Sequence, residues 1–566
     1  MNADRSGAQI LVDCLLGQGV KHAFLVPGES YLAVLDALVD APEIALTVCR
    51  QEGGAAMMAE AHGKLTGKPG ICMVTRGPGA TNASAGLHVA FQDSTPMILF
   101  VGQVARGMRE REAFQEIDYR RMFGQVAKWV AEIDTPDRIA EFVSRAFHVA
   151  CSGRPGPVVL ALPEDMLVER SAPAPKLPPV KTPHADVPPD SWRELEKLLT
   201  VAERPLVVVG GGPWNRDAKA ALEEFSSNWN IPVAASFRCQ DFFDNEHPNY
   251  AGDVGIGINP KLAERLRTSD LLVLLGTRFG EMESSGYSLI EIPRPKQKLV
   301  HVFPDSSELG RVYFPTLAIH ASPVHLALRL ATLAPPAEQG ARCEETASAR
   351  ADYKDWSSLP DGIGNLRMPD VMRVVSTTMP DDTIVTNGAG NYTVWVHRFH
   401  RYREFRTQLA PISGSMGYGL PAAVAAARTH PDRPVVCFAG DGCFLMHGQE
   451  LATARQYDLK IIVLIVNNGM YGTIRMHQER HYPGRVSATD LINPDFASLA
   501  TAYGCHGEAV EHSDEFEAAL DRAIAADGPA VIELRIDAEA LTPSKTLSEI
   551  RAEAEARLGC TPALAG

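Results

Sequence analysis

Three doubly wound α/β domains, each built on a parallel sheet, are predicted for this chain by three observations. The first is length: 566 residues exceed what one hydrophobic core supports, and about three domains of ordinary size account for them. The second is a repeated phrase, a short β-branched apolar run that ends in glycine or an acid and is followed by a segment of helical period. Runs so continuously apolar fit parallel strands covered on both faces. The third is a pair of breaks, SAPAPKLPPVKTPHADVPPD at 171–190 and PPAEQGARCEETASARADYKDWSSLPDGIGN at 335–365. Neither stretch buries enough apolar surface to fold alone, so both read as linkers over domain surfaces.

The elements follow in order. In the first block, 1–170, the strand runs are HAFLVPGE, GICMVTRGPGA, PMILFVGQV and GPVVLALPED. The second, 186–335, has PLVVVGGG, IPVAAS, LLVLLGTRFG and KLVHVFPD. The third, 365–545, has TIVTNGAG, PVVCFAGDG, IIVLIVNN and AVIELRID, and a tail occupies 546–566.

Composition narrows the function classes. Apolar residues make up 45% and charged residues 22% of the chain, the profile of a soluble globular protein. A net charge of -15 without any basic run argues against nucleic acid as a partner. The N-terminal stretch MNADRSGAQILVDCLLGQGV lacks the regions of a signal peptide, and no apolar run approaches the roughly 20 residues of a membrane span. A cytoplasmic protein with no membrane partner is expected. The ten cysteines have no CxxC spacing and read as reduced, buried small hydrophobes, with Cys443 set apart by its place after a Gly-Asp-Gly.

That Gly-Asp-Gly opens the stretch GDGCFLMHGQELATARQYDLKIIVLIVNN, residues 440–468. In open α/β sheets ligands collect at the carboxyl ends of strands. Asp441 at one such end offers a carboxylate, and Asn468, one βα unit later, offers an amide oxygen. Magnesium is held by one or two protein oxygens together with substrate phosphates. Gly440 and Gly442 allow close backbone approach, and a helix expected from about Gly448 would present N-terminal amides. Each fragment alone also reads as a plain turn or helix start; together they suggest a magnesium-diphosphate clamp.

Gly-Asp-Gly followed at this distance by Asn-Asn resembles the signature of thiamine diphosphate (ThDP) enzymes, and the surrounding sequence resembles their acetolactate synthase branch. VPGESYLAVLDAL, RQEGGAAMMAEAHGKLTGKPG, TRGPGATNASAGL, AFQEID, SGSMGYGLPAA and NNGMYGTIRMHQER all fit, across almost the whole chain. The resemblance implies a domain order of pyrimidine-binding, central and diphosphate-binding. It implies that Asp441, Asn468 and the Met470 carbonyl hold magnesium, and that Asn391, Gly440, Gly442, Cys443, Tyr471 and Gly472 lie against the cofactor. The Gly414 carbonyl would accept from the 4-amino group, and Met416 would wedge under the two rings, although core filling is the commoner role of methionine.

Glu52 stands before Gly-Gly-Ala-Ala, with little bulk over it. It reads either as an exposed acid near a helix start or, by the resemblance, as the acid that exchanges a proton with the aminopyrimidine so that an ylide can form. On the substrate side the resemblance places Phe114 against water entry and Gln115 on a carbonyl or hydroxyl, whereas the charges of the same loop would also suit a plain surface helix. The arginine and tryptophan that select the second keto acid in acetolactate synthases align with Met282 and His477. Loss of the guanidinium removes a carboxylate clamp. His477 reads equally as a surface histidine or as a group near the acceptor.

In the central block Gly210, Gly211, Arg278 and Asp305 align with positions that hold FAD or ADP in relatives, and glycines there also serve simple tight turns. The resemblance places each active centre across a subunit interface, hence a homodimer or homotetramer. The activity it implies is ThDP- and magnesium-dependent carboligation or lysis of a 2-keto acid or 2-hydroxy ketone, through ylide and enamine intermediates. A 2-hydroxyacyl-CoA lyase or oxalyl-CoA decarboxylase acting on an acyl-CoA is the enzymatic alternative, and a non-catalytic regulatory protein of the same fold is the alternative of another class. A dinucleotide-dependent oxidoreductase is excluded, because PLVVVGGGPWNRD departs from GxGxxG spacing.

Overall fold

A computed structural model describes residues 4–173, 175 and 177–559. Three six-stranded sheets carry the fold, every strand pair in them parallel. The first runs Ala45–Val48, His22–Leu25, Gly70–Val74, Met97–Gln103, Pro157–Pro163, Trp129–Glu132. The second runs Tyr250–Asp253, Val233–Ala235, Pro205–Val209, Leu271–Leu275, Lys298–Phe303, Leu317–His320. The third runs Gln408–Leu409, Ile384–Asn387, Val435–Gly440, Ile462–Asn467, Ala530–Arg535, His506–Val510. In each sheet the four inner strands are the four runs predicted above, and the two edge strands are those the sequence did not announce.

Chain order explains where the sites fall. In the first and third sheets the strands follow the order 2-1-3-4-6-5, and in the second 3-2-1-4-5-6. Such sheets reverse direction at one internal point, and the loops that diverge there leave a crevice at the carboxyl ends. In the third sheet that point lies between Ile384–Asn387 and Val435–Gly440, whose register pairs Asn387 with Phe438. The loops that follow are Gly388–Asn391 and the Gly-Asp-Gly.

Two compact units are formed, residues 1–354 with 402–406, which carry the first two sheets, and residues 355–401 with 407–566, which carry the third. In the first unit, helix Glu52–Thr66 is capped by the Gln51 side chain, which accepts from the Gly54 N–H at 3.1 Å. It ends at Gly67 in the left-handed conformation, φ 70°. Its Gly-Gly-Ala-Ala face lies so close to helix Pro78–Asp93 that a Cβ on Gly86 would stand 2.5 Å from the Ala56 methyl.

Two expectations are corrected. The stretch 335–365 is no simple linker: helix Gly340–Trp356 occupies most of it and buries Arg342, Thr346, Ala349, Arg350 and Tyr353. Its buried stripe is mostly polar because it satisfies backbone carbonyls. Arg342 donates to Ala202 O, and Arg350 donates to Asn245 O at 2.7 Å. Nor are all the described cysteines buried: Cys343 is exposed, and Cys14 and Cys151 are half-buried. The first stretch matches its reading, with no helix or strand among its described residues between Arg170–Ser171 and Pro189–Val201. The part of the tail at 560–566 lies outside the described residues.

Candidate active site

In the second unit a cavity of about 250 Å³ opens at the crevice of the third sheet. It gathers Asn391, Gly414, Met416, Gly440, Asp441, Gly442, Cys443, Asn468, Met470, Tyr471 and Gly472, all of them site residues expected from the sequence. Tyr392, Trp395, Thr473, Ile474, Ile536 and Leu541 also line it and were not expected. Tyr392, Trp395, Ile536 and Leu541 read in the sequence as ordinary apolar or aromatic positions, and Thr473 and Ile474 sit inside NNGMYGTIRMHQER without being singled out.

Asp441 is the electrostatic centre of this cavity. It is 3% exposed, and burial pushes its carboxyl above the ordinary value, opposed by N–H groups that favour the ionised form. Its Oδ1 accepts from Gly442 N at 2.9 Å, and its Oδ2 accepts from Gly469 N at 3.0 Å and Asn493 Nδ2 at 2.8 Å. A short helical turn, Asp441–Phe444, begins directly at Asp441 with Gly440 as its N-cap, ahead of the helix expected from about Gly448. That expected helix starts at Gly448 as the 3-10 turn Gly448–Glu450 and continues as Leu451–Gln456.

The Asn-Asn pair divides its work. Asn467 turns inward: its Oδ1 accepts from Gly469 N at 3.1 Å, and its Nδ2 donates to buried Glu533 at 2.7 Å. Asn468 lines the cavity, and its Oδ1 accepts from Met470 N at 3.3 Å. Gly469 permits this by adopting φ 68°. Residues 469–471 are pinned to 489–491, Tyr471 N donating to Thr489 O at 2.8 Å and Leu491 N to Gly469 O at 2.9 Å.

Oxygen from Asp441, Asn468 and the Met470 carbonyl is a hard donor set short of a full shell. That suits magnesium, which draws its remaining oxygens from a phosphate ligand and water. Among the described residues no group of three or more His, Cys, Asp or Glu could hold a metal by itself. A Cβ on Gly442 would stand 2.6 Å from the Tyr471 ring, and one on Gly440 3.0 Å from Tyr392, so close packing of the two tyrosines requires glycine at both positions, which also line the cavity. The residues therefore fit a metal-bound diphosphate.

Cys443 is buried; its sulfur accepts from Gly417 N at 3.2 Å and from the Tyr392 hydroxyl at 3.3 Å. Gly414, at φ 67°, and half-buried Met416 share one loop, held beneath by the close approach of Gly417 to the His447 ring. His477 is exposed on helix Gly472–His481, stacked on His481 at 6.1 Å, and is not among the cavity's lining residues. Partial burial, with Arg480 and His481 nearby, lowers its pKa.

In the first unit Glu52 is half-buried at the start of its helix and accepts from Asn82 Nδ2 at 2.9 Å. Gly79 passes over it: a Cβ there would stand 3.3 Å from Glu52 Oε1. Gln115, at φ 65°, lies against Gly77, and Phe114 is 74% exposed, its carbonyl accepting from Arg76 at 3.3 Å. Met282 is half-buried. Of the expected nucleotide contacts, Gly210 and Gly211 are required by packing, since added Cβ atoms would stand 2.2 Å from Ser236 Cβ and 2.5 Å from Gly276 O. Arg278 donates to Gln92 O at 3.1 Å, and Asp305 accepts from the Ser307 hydroxyl at 2.8 Å.

Comparison with known proteins defines the class. Three family models match in succession: thiamine pyrophosphate enzyme, N-terminal TPP binding domain, over 5–122; the central domain of the same enzymes over 193–330; and their C-terminal TPP binding domain over 388–534. The large subunit of acetolactate synthase isozyme 2 from Escherichia coli (strain K12) is 32% identical over 540 residues, 94% of this chain and 96% of that protein. The acetolactate synthase large subunit of Corynebacterium glutamicum is 31% identical, covering 98% of this chain and 91% of its own. A probable acetolactate synthase large subunit of Methanocaldococcus jannaschii is 30% identical over 94% and 93%. The chain belongs to the thiamine pyrophosphate (ThDP) enzymes, in their acetolactate synthase-like branch.

Proposed function

We propose that this enzyme makes or breaks a carbon–carbon bond next to the carbonyl of a 2-keto acid or 2-hydroxy ketone, using ThDP and magnesium. The observation that carries the reading is the buried Asp441 carboxylate in a glycine-walled cavity. A carboxylate so deeply desolvated is stabilised by a cation beside it. Bound there, ThDP supplies a nucleophilic carbon and an electron sink for carbonyl chemistry.

This chain's own residues do the rest. Asp441, Asn468 and the Met470 carbonyl present oxygens to the cation, while Gly440, Gly442 and Gly472 leave room for the diphosphate, with Asn391, Cys443 and Tyr471 around it. The Gly414 carbonyl and Met416 would hold the aminopyrimidine end of the cofactor, the first as a hydrogen-bond acceptor and the second by packing. Glu52 exchanges a proton with the pyrimidine ring, Phe114 shields the reacting carbon from water, and Gln115 donates to a substrate oxygen. Glu52 belongs to one copy of the chain and Asp441 to another, so the working unit is at least a homodimer. We assign no FAD or ADP to the central domain, where packing and internal hydrogen bonds account for Gly210, Gly211, Arg278 and Asp305.

The acceptor differs from a second keto acid. Met282 offers a thioether in place of a guanidinium, and without a bidentate clamp a carboxylate gains no selective hold. An uncharged carbonyl, such as an aldehyde, is the acceptor that needs no such clamp. Neither the thioester reading nor a non-catalytic one gains an observation of its own. Glu52 and Asp441 are both present, and helix Leu547–Gly559 is docked onto Gly472–His481 through Arg551 and Glu479.

Product analysis by NMR tests this reading, with pyruvate, ThDP and magnesium, alone and with an added aldehyde. A mixed hydroxyketone is expected when the aldehyde is present. Acetolactate as the main product of both mixtures would contradict the acceptor assignment, and pyruvate left untouched by ThDP-loaded enzyme would contradict it as donor.

A further inference from the structure

Asn493 lies in the loop after the 469–471 and 489–491 pairing, outside every motif that the sequence offers. Its Nδ2 donates to two oxygens at once, Asp441 Oδ2 at 2.8 Å and Asn467 Oδ1 at 2.9 Å. Since both partners are acceptors, the amide orientation is dictated: reversing it would set oxygen against two oxygens. The price of that orientation is visible at the other end, where Asn493 Oδ1 is buried without a hydrogen-bond partner. An asparagine kept only to tie its own loop down would satisfy both ends.

The contact extends a continuous chain of hydrogen bonds. Asn467 Nδ2 donates to Glu533, which is 1% exposed, and Glu533 in turn accepts from Arg535 Nε at 3.1 Å. Asn493 therefore couples the carboxylate of Asp441 to an anchored residue on the neighbouring strand. Without it, Asp441 loses its side-chain donor and keeps backbone N–H groups alone, among them Gly469 N at 3.0 Å from Oδ2.

We propose that Asn493 is a positioning residue for the metal site, holding the Asp441 carboxylate in the orientation that receives the cation. The proposal rests on the reading of Asp441 as a magnesium ligand. Partners that orient a metal ligand are worth about 10–100-fold in metal affinity.

The test titrates magnesium into the full-length protein at saturating ThDP, following intrinsic tryptophan fluorescence and calorimetric heat, for wild type, Asn493→Ala and Asp441→Ala. Thermal midpoints are recorded without metal or cofactor. Asn493→Ala is expected to weaken magnesium binding at least about tenfold while the midpoint without ligands stays near wild type. Wild-type magnesium affinity in Asn493→Ala, with affinity lost in Asp441→Ala, overturns the positioning role alone. Wild-type affinity in both variants overturns the reading of Asp441 beneath it. A midpoint that falls while magnesium affinity is retained shows a loop-packing role and also overturns the proposal. Should the alanine variant fail to fold, Asn493→Ser, which keeps a donor too short to bridge both oxygens, is judged by the same criteria.

Discussion

Asp441 is a buried carboxylate held almost entirely by its own loops. Burying a carboxylate costs several kcal/mol, and each charge-assisted hydrogen bond returns roughly 1.5–3 kcal/mol. Three such bonds, from Gly442, Gly469 and Asn493, hold it ready for a cation. Gly442 was legible because a glycine beside a lone acid at a strand end is a recognisable pattern, whereas Gly469 was not singled out. Asn493 was not, because its role depends on a loop brought back by backbone pairing. His477 raises the opposite case, a residue singled out by position that the structure places on an exposed face beside His481. His477→Ala is predicted to change the ratio of products from competing acceptors by about threefold to tenfold, roughly the 1 kcal/mol of a single contact. ThDP affinity should stay within about twofold of wild type, since its lining residues are untouched; calorimetry and competitive product analysis check both. Equal loss of both quantities would remove His477 from the acceptor side.

Among the elements, inner and edge strands separate cleanly in what the sequence discloses. Leu271–Leu275 and Pro157–Pro163 are buried along their whole length and so are written in continuous apolar residues. Leu317–His320 and His506–Val510 are partly exposed edges that use mixed residues, and Gln408–Leu409 spans only two positions, too short for any pattern. Helix Gly340–Trp356 escaped for another reason: its buried face carries Arg342, Thr346 and Arg350, so its helical stripe is not apolar. Helix Leu547–Gly559 is held by buried Leu547, Ile550 and Ala554 and by Arg551, whose guanidinium meets the fully buried Glu479 side chain at 2.5 and 2.8 Å. This pairing holds the Glu479 carboxyl below the ordinary carboxylate range. The stabilisation is therefore complete above the ordinary value and is lost only as pH falls through the lowered one. Arg551→Ala is predicted to loosen the helix by about 1–2 kcal/mol, a buried-pair loss discounted for the partly exposed guanidinium. Hydrogen exchange at neutral pH checks it: faster exchange confined to 547–559 is expected, and unchanged protection there would show that Leu547 and Ile550 suffice.

Across the whole molecule, the first and third sheets share one strand order, and each carries half of the chemistry assigned to the active centre. Glu52 starts the helix after strand Ala45–Val48, whereas Asp441 follows Val435–Gly440. Fold class and many of the residues that line the cavity of the third sheet were readable from sequence because both depend on local runs and short spacings. Acceptor choice was not, because the neighbours of Met282 and His477, the side chains proposed for it, are revealed by no spacing. The central claim is that Glu52 of one copy and Asp441 of another serve the same centre. Coexpressing Glu52→Gln with Asp441→Ala tests it most directly, because a mixed dimer then has one centre with both defects and one with neither. Each variant alone should lose activity by roughly 10²-fold or more, while random mixing should restore about a quarter of wild-type turnover. Activity that stays at the level of the single variants, although mixed dimers are shown to form, would contradict the claim and put both residues to work within one copy.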